Sequence, residues 1–103
     1  MDHVELAPRA ARDLRKVKDA RARRDVTRCL QDELTADPHP ENMDVKALRG
    51  KPPWLRARCG EHRVLFRPLA RVELKKLGAN PSSGYLVARI IDRAELERAV
   101  ASL

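Results

Sequence analysis

Arginine residues alternate with other residues on both sides of a Gly-Glu dipeptide near the middle of the sequence. Arg56 and Arg58 precede the dipeptide, and Arg63 follows it. Because alternate residues of a β-strand point to the same face, the three guanidinium groups are expected on one face of a hairpin. A guanidinium stays positively charged at neutral pH and donates hydrogen bonds in a planar fork that matches phosphate. The spacing therefore predicts a docking surface for a polyanion.

The hairpin itself is predicted by a two-residue connection between Cys59 and His62. Gly60 stands at the first central position, which is typical of a type II′ turn. The same alternation separates the arginines from an apolar face, which is expected to pack inward. That face carries Leu55, Ala57, Cys59, Val64 and Phe66.

Helices and a first strand precede the hairpin. Residues 3–6 alternate as a short edge or first strand, and Pro8 fits the first turn of a helix. Residues 16–24 are almost wholly charged or Ala and are expected to contain the link to a second helix. Its predicted apolar face consists of Val26, Cys29, Leu30 and Leu34. The two helices are expected to form an antiparallel hairpin on the sheet, and residues 41–46 are expected to form a loop.

The segment after the hairpin combines helix and strand signals. Residues 70–77 fit a short helix that ends at Gly78, although a strand over 71–77 also fits the pattern; we prefer the helix. A loop over 80–84 and a strand over 85–91 follow, and Asp92 is expected to cap a terminal helix. The order predicts an α+β fold over residues 1–103 as a single domain. It consists of a small, mainly antiparallel sheet with the N-terminal helical hairpin on one face and a C-terminal helix.

The amino-acid composition indicates which kinds of partner and cofactor the protein is expected to bind. The 103 residues carry a formal charge of +7, which favours an acidic partner. The excess of Arg over Lys fits phosphate binding, and equally well a GC-rich genome. Cys29 and Cys59 are expected to be reduced in a cytoplasmic protein, and the scattered histidines predict no metal site and no cofactor. No stretch is long and apolar enough to predict a membrane span.

Four stretches of the sequence together resemble the RelE/ParE superfamily of bacterial toxins, which belong to toxin–antitoxin modules. They are residues 6–14, which open the first helix, Leu48-Arg49-Gly50 before the hairpin, residues 54–67 of the hairpin, and residues 87–93 of the last strand. The resemblance covers nearly the whole chain. It implies a toxin with either a RelE-like or a ParE-like activity. A cognate antitoxin would neutralise this toxin.

RelE-like members cleave mRNA in the ribosomal A site, whereas ParE-like members poison DNA gyrase. By position, the RelE-like branch implies that Arg56, Arg58, Arg63 and Arg93 surround the scissile phosphate. We prefer this branch and expect an mRNA interferase that needs no metal. The further RNA contacts, to mRNA or ribosomal RNA, are expected from Lys46, Arg49, Lys51, Arg67, Tyr85 and Arg89.

The sequence departs from the RelE-like pattern where a proton acceptor is needed. Such nucleases commonly carry a Tyr or His near the terminal segment, and this chain has neither there. Cleavage requires a base, an acid and cations around the phosphorane, and arginine is a poor base. His62 is one candidate base, although alternation places it on the apolar side. For a histidine beside a turn, a surface residue without a catalytic role is the more frequent interpretation. Lys46 and Lys51 are the alternatives.

Tyr85 has two interpretations. Two-residue spacing along the last strand places Tyr85, Arg89 and Arg93 on one face, where the Tyr85 ring could stack on a base. Packing of the ring against the loop at Pro81 is about equally consistent with the sequence. A detoxified module that only binds an antitoxin is a further alternative to both toxin activities.

Overall fold

Five strands form one mixed sheet in the computed structural model, which describes residues 3–78 and 83–103. The strands are β1 His3–Leu6, β2 Lys46–Ala47, β3 Leu55–Cys59, β4 His62–Pro68 and β5 Gly84–Asp92. Their order across the sheet is β1-β5-β4-β3-β2. Strand β1 pairs with β5 in parallel, and the other pairings are antiparallel. The expectation of a mainly antiparallel sheet is confirmed.

Four α-helices accompany the sheet within the described ranges. They are α1 Pro8–Lys16, α2 Ala20–Arg28, α3 Arg71–Lys76 and α4 Leu96–Ala101. Helix α2 continues as a π-helical turn over Cys29–Glu33, and short 3-10 turns span Glu41–Met43 and Arg93–Glu95. The α+β class is therefore confirmed. None of these helices is both long and apolar enough to cross a bilayer.

The link between α1 and α2 lies within the charged run over 16–24, as predicted. Only residues 17–19 separate the two helices, because Asp19 caps α2 by accepting a hydrogen bond from the N–H of Arg21 at 3.0 Å. The guanidinium of Arg23 then donates to the carbonyl of Arg15, at 2.9 Å, which ties α2 to the end of α1. An antiparallel packing of the two helices remains a prediction.

One face of the sheet supports the larger core. Its buried side chains include Val26, Cys29, Leu30 and Leu34, the predicted face of the second helix, packed with Ala57, Cys59, Val64 and Phe66 of the hairpin. The predicted apolar faces of both elements are confirmed. Hydrophobic residues make up 43% of the sequence and few of them are aromatic. The core that they form around Phe66 is therefore mainly aliphatic.

The opposite face of the sheet supports a second, smaller core. Leu65 and Ile91 lie on this face, and Ala99 of α4 is buried against them. Leu48, Leu96 and Val100 pack at its margin. Because Leu65 alternates with the buried residues of the first core along β4, the C-terminal helix covers the face on which the hairpin arginines lie.

A bulge in β5 changes which residues share a face. Phe66 pairs with Val87, but Leu65 pairs with Arg89, so that one extra residue of β5 lies between the two pairs. Tyr85 therefore lies on the side of Val87, whereas Arg89 lies on the side of Leu65. The prediction that Tyr85 and Arg89 share a face is wrong, because two-residue spacing does not hold across a bulge.

Four local predictions have different outcomes. The turn at Gly60 is confirmed: this residue has φ +63° and the loop has two residues, since Cys59 pairs with His62. The short helix after the hairpin is also confirmed, and Gly78 follows it with φ +80°. The predicted loop over 41–46 is wrong at its end, where Lys46 begins β2 and pairs with Arg56. In the predicted loop over 80–84, residues 80–82 lie outside the described residues.

Candidate nucleic-acid interface

The pairing of the strands places positive side chains beside one another on the face covered by α4. Lys46 lies opposite Arg56, and Arg58 lies opposite Arg63. Directly opposite residues of antiparallel strands share a face and lie within reach of each other. Cations from β2, β3 and β4 thus form two adjacent rows on one surface.

Arg93 reaches the same region from the end of β5. Strand β5 gives way to a 3-10 turn at Arg93, which the Asp92 carboxylate stabilises by accepting a hydrogen bond from the N–H of Glu95 at 3.2 Å. We call Arg56, Arg58, Arg63 and Arg93 the basic cluster. These four residues are the arginines predicted from the hairpin and from the last strand.

The guanidinium of Arg63 lies in the electrostatic field of the other three arginines of the basic cluster. Burial lowers the pKa of the Arg63 guanidinium, and the positive charges of Arg58, Arg56 and Arg93 lower it further. The negative charge of Glu61 acts in the opposite direction and is the smallest of these effects. Because the Coulomb interaction weakens with distance, this effect is consistent with the strand pairing that places Arg58 opposite Arg63.

No ion pair relieves this repulsion within residues 3–78 and 83–103. None of the four cluster arginines has a carboxylate within salt-bridge distance in that part of the chain. The Arg63 Nη1 atom instead donates to the carbonyl oxygens of His62 at 3.1 Å and Gly60 at 3.4 Å. A concentration of like charge without acidic partners is stabilised by an added anion. The basic cluster is therefore a candidate site for phosphate.

Lys46 borders the cluster in the pairing register, and two further predicted contacts, Arg49 and Lys51, lie between β2 and β3. The Lys46 ammonium is exposed and lies 3.8 Å from the Asp44 carboxylate. Arg49 is exposed, and the Lys51 ammonium donates to the carbonyl oxygen of Leu103 at 3.1 Å. Of the predicted RNA contacts, the pairing register thus brings Lys46 next to the cluster.

Arg67 is already held by a carboxylate. It donates two hydrogen bonds to Glu73, at 2.8 and 2.9 Å, and lies 5.7 Å from the centre of the Trp54 ring. The same contact lowers the pKa of Glu73 to about 2, and the N–H of Ala70 contributes a further hydrogen bond. Arg67 therefore orders the start of α3 and would have to leave Glu73 before it bound RNA.

Arg89 is held in the same way, by a carboxylate of α1. Its guanidinium donates to the Asp13 carboxylate at 2.8 and 3.3 Å, and the side chains are only 11% and 10% exposed. Tyr85 packs edge-on against Phe66, with ring centres 5.3 Å apart. The structure does not bring Arg89 or Tyr85 into the basic cluster.

His62 lies away from the cluster, on the side predicted by alternation. It shares the face of Val64 in β4 and lines a cavity beside α1, and its Nδ1 atom is buried without a hydrogen-bond partner. A catalytic role for His62 remains an untested prediction, and the geometry does not support it.

Sequence reasoning missed Asp13 and the stripe of cations beside it on α1. Asp13 accepts from Arg89 and also from the N–H of Ile90 at 3.0 Å, just beyond the last β1–β5 pair. Nothing in the local pattern predicts that partnership across 76 residues. The spacing of Arg9, Arg12 and Lys16, by contrast, could have indicated a cationic helix face.

Comparison with known proteins finds the same fold in two toxin–antitoxin complexes. A chain of the RelBE2 complex from Mycobacterium tuberculosis is 22% identical, with a TM-score of 0.63 over 88% of this chain and 96% of that one. A chain of the RelB-RelE complex from Methanococcus jannaschii is 15% identical, also with a TM-score of 0.63, over 92% and 96%. No family model and no curated protein sequence matches the chain. Identities this low show a shared fold, and both complexes contain a toxin and an antitoxin.

Proposed function

We propose that this protein is the toxin of a type II toxin–antitoxin pair and acts on RNA through the basic cluster. The convergence of Arg56, Arg58, Arg63 and Arg93 without acidic partners in the described residues is the observation that carries the proposal. The fold shared with chains of two toxin–antitoxin complexes supports it. The resemblance of the hairpin to RelE-like toxins favours RNA over other polyanions.

The proposed reaction is cleavage of ribosome-bound mRNA in the cytoplasm. Attack of the 2′-hydroxyl on the neighbouring phosphorus displaces the 5′ oxygen and passes through a phosphorane with added negative charge. The basic cluster is suited to stabilise that charge, because fixed guanidinium groups require no reorganisation during the reaction. Solvent water takes the proton of the 2′-hydroxyl and returns one to the 5′ oxygen, and the Lys46 ammonium, next to Arg56 in the pairing register, adds a further positive charge at the phosphate.

The proposed protein partner is an antitoxin with acidic segments. The chain carries 22 Lys and Arg residues against 15 Asp and Glu residues, so that an acidic segment would be attracted to it over its whole surface. An antitoxin that covers the basic cluster would neutralise the toxin directly. Ribosomal RNA is the second proposed contact.

Induced expression in a bacterial host tests the activity. We expect protein synthesis and growth to stop, and mRNA 5′ ends to appear at fixed positions within codons. Arg63→Ala or Arg93→Ala should lower cleavage about 100-fold, as expected for loss of one charge-stabilising group. Arg71→Ala, at the exposed start of α3, is the matched control and should stay toxic. Growth arrest with intact mRNA would contradict the proposed reaction.

A second candidate function is ParE-like inhibition of DNA gyrase without cleavage. The observation in its favour is that neither His62 nor Tyr85 lies at the basic cluster, so that no imidazole or phenol of the described residues is placed there as a base. A supercoiling assay with purified protein separates the two functions. Inhibited supercoiling with intact mRNA would support the ParE-like candidate, and expression without a growth defect would support a detoxified module that only binds an antitoxin.

A further inference from the structure

A second basic region lies on the α1 side of β5 and encloses a cavity of about 620 Å³. Helix α1, the end of β5 and His62 line it, and none of the four arginines of the basic cluster does. The volume falls within the range of about 300–1,000 Å³ that is usual for small-molecule sites. The cavity is therefore a separate candidate site.

Three cations of α1 form one wall of this cavity. Arg9, Arg12 and Lys16 follow one another at helical spacings of three and four residues, so that they lie on one stripe. All three are exposed, and none forms an ion pair with any described residue. The stripe extends over about 10 Å of helix, which is long enough for more than one phosphate group.

The acidic residues of the cavity do not neutralise the stripe. Asp13 is fully engaged, because its two carboxylate oxygens accept from the Arg89 guanidinium and from the N–H of Ile90. Asp92 ends β5 and Glu95 lies on the turn that follows, where the Asp92 carboxylate accepts from the N–H of Glu95. Neither carboxylate forms an ion pair with the three cations of the stripe, so the helix wall of the cavity keeps its positive charge.

We propose that this cavity is a second phosphate site, which binds a short run of linked phosphate groups along Arg9, Arg12 and Lys16. The run could belong to the polyphosphate chain of a nucleotide or to the backbone of an RNA. The proposal does not depend on the proposed function, because the two sites share no cation. Guanidinium groups would hold the phosphate oxygens by paired charge-assisted hydrogen bonds.

Binding of inorganic tripolyphosphate to the whole protein tests the proposal, followed by calorimetry and by NMR of the histidine rings. Arg12→Ala should weaken binding about tenfold, the loss expected for one charge-assisted hydrogen bond. Arg71→Ala should bind like the wild type. In Arg63→Ala, which removes a cation of the basic cluster, the affinity reported by the His62 ring should stay at its wild-type value. His62 lines the cavity, so its ring resonances should shift on binding, whereas those of His39, which bonds to the Leu34 carbonyl, should not.

Two further ligands distinguish the sources of the phosphate. Tighter binding of ATP than of tripolyphosphate, lost in Arg12→Ala, would assign the cavity to nucleotides. Tighter binding of a twelve-nucleotide RNA, weakened equally by Arg12→Ala and by Arg63→Ala, would assign it to RNA backbone that runs past both sites. The proposal would be overturned if the affinity reported by the His62 ring were unchanged by Arg12→Ala, or if it fell in Arg63→Ala instead. The mRNA cleavage assay with Arg63→Ala reports on the basic cluster alone. The proposed phosphate site in the cavity can therefore fail while the proposed cleavage at the cluster stands, and the reverse.

Discussion

Three arginines of the sheet differ in whether their charge is available to a ligand, because their guanidinium groups have different neighbours. Arg63 is surrounded by other cations, which lower its pKa. Arg67 faces Glu73, and the side-chain hydrogen bond raises its pKa. Arg89 is nearly buried against Asp13. Only the first environment leaves positive charge available for a ligand, and residue type alone does not distinguish the three.

At the residue scale, the Arg67–Glu73 pair predicts a particular pH dependence of stability. The pKa of Glu73 is lowered from 4.5 to about 2 in the folded state. The stabilisation is therefore complete above about pH 4.5 and is lost as pH falls towards 2. We expect Glu73→Gln to unfold at a lower urea concentration than the wild type at pH 7, and the difference to shrink between pH 5 and pH 2.

Glu97→Gln is the matched control, since Glu97 is exposed on α4 and has no ion pair in the described part of the chain. Its difference from the wild type should stay small and constant over the same range. A Glu73→Gln difference that does not change with pH would show that the carboxylate is not held by Arg67 in solution.

At the scale of elements, β5 connects both sides of the molecule. It pairs with β1 on one edge and β4 on the other, contributes Val87 and Ile90 to the first core, and contributes Ile91 to the second. The bulge in β5 allows Val87 and Ile90, three residues apart, to face the same core. Arg93 of the basic cluster follows directly after the last residue of the strand. The two cores and the candidate interface therefore depend on one strand.

Asp13→Asn should destabilise the fold by removing the ion pair between α1 and β5. The change retains an acceptor for the N–H of Ile90 but leaves the Arg89 charge nearly buried without its counter-charge. Loss of one partner from a buried pair costs about 3–5 kcal/mol, so we expect a fall of about 3 kcal/mol in the free energy of unfolding by urea. Asp32→Asn, an exposed position on the π-helical turn, should change it by less than about 0.5 kcal/mol. Equal effects of the two changes would refute a structural role for the pair.

At the scale of the whole molecule, the two faces of the sheet are used differently. The face beneath α1 and α2 holds the larger core, while the face beneath α4 holds a small core surrounded by cations. The formal charge of +7 adds a long-range attraction for any polyanion. Overall charge increases the rate of encounter, whereas the basic cluster determines where a phosphate is held.

Salt dependence of RNA binding separates these two contributions. For single-stranded nucleic acid, the logarithm of the affinity falls with the logarithm of salt concentration by about 0.7 per phosphate neutralised. We expect a slope of about −3 for a short RNA bound at the four arginines of the basic cluster, and a slope about 0.7 shallower for Arg63→Ala. Fluorescence anisotropy over a salt series measures both slopes. The same slope for Arg63→Ala and the wild type would show that binding is diffuse rather than centred on the cluster.

The sequence by itself determined the elements whose signals are local. Alternation fixed the two faces of the hairpin, the glycine fixed its turn, and helical spacing fixed the buried face of α2. Alternation also predicted that Arg56, Arg58 and Arg63 share a face, because side-chain direction along a single strand follows from backbone geometry. Tertiary contacts are not needed for any of these inferences.

Only the tertiary structure decided which cations remain available. Arg67 and Arg89 lie in strands as Arg63 does, but carboxylates brought in by α3 and α1 hold them. The bulge in β5 separated Tyr85 from Arg89, and the short strand β2 placed Lys46 beside Arg56. The physical reason is that a charge partner or a strand register depends on how separate elements pack together, which the periodicity within one element does not encode.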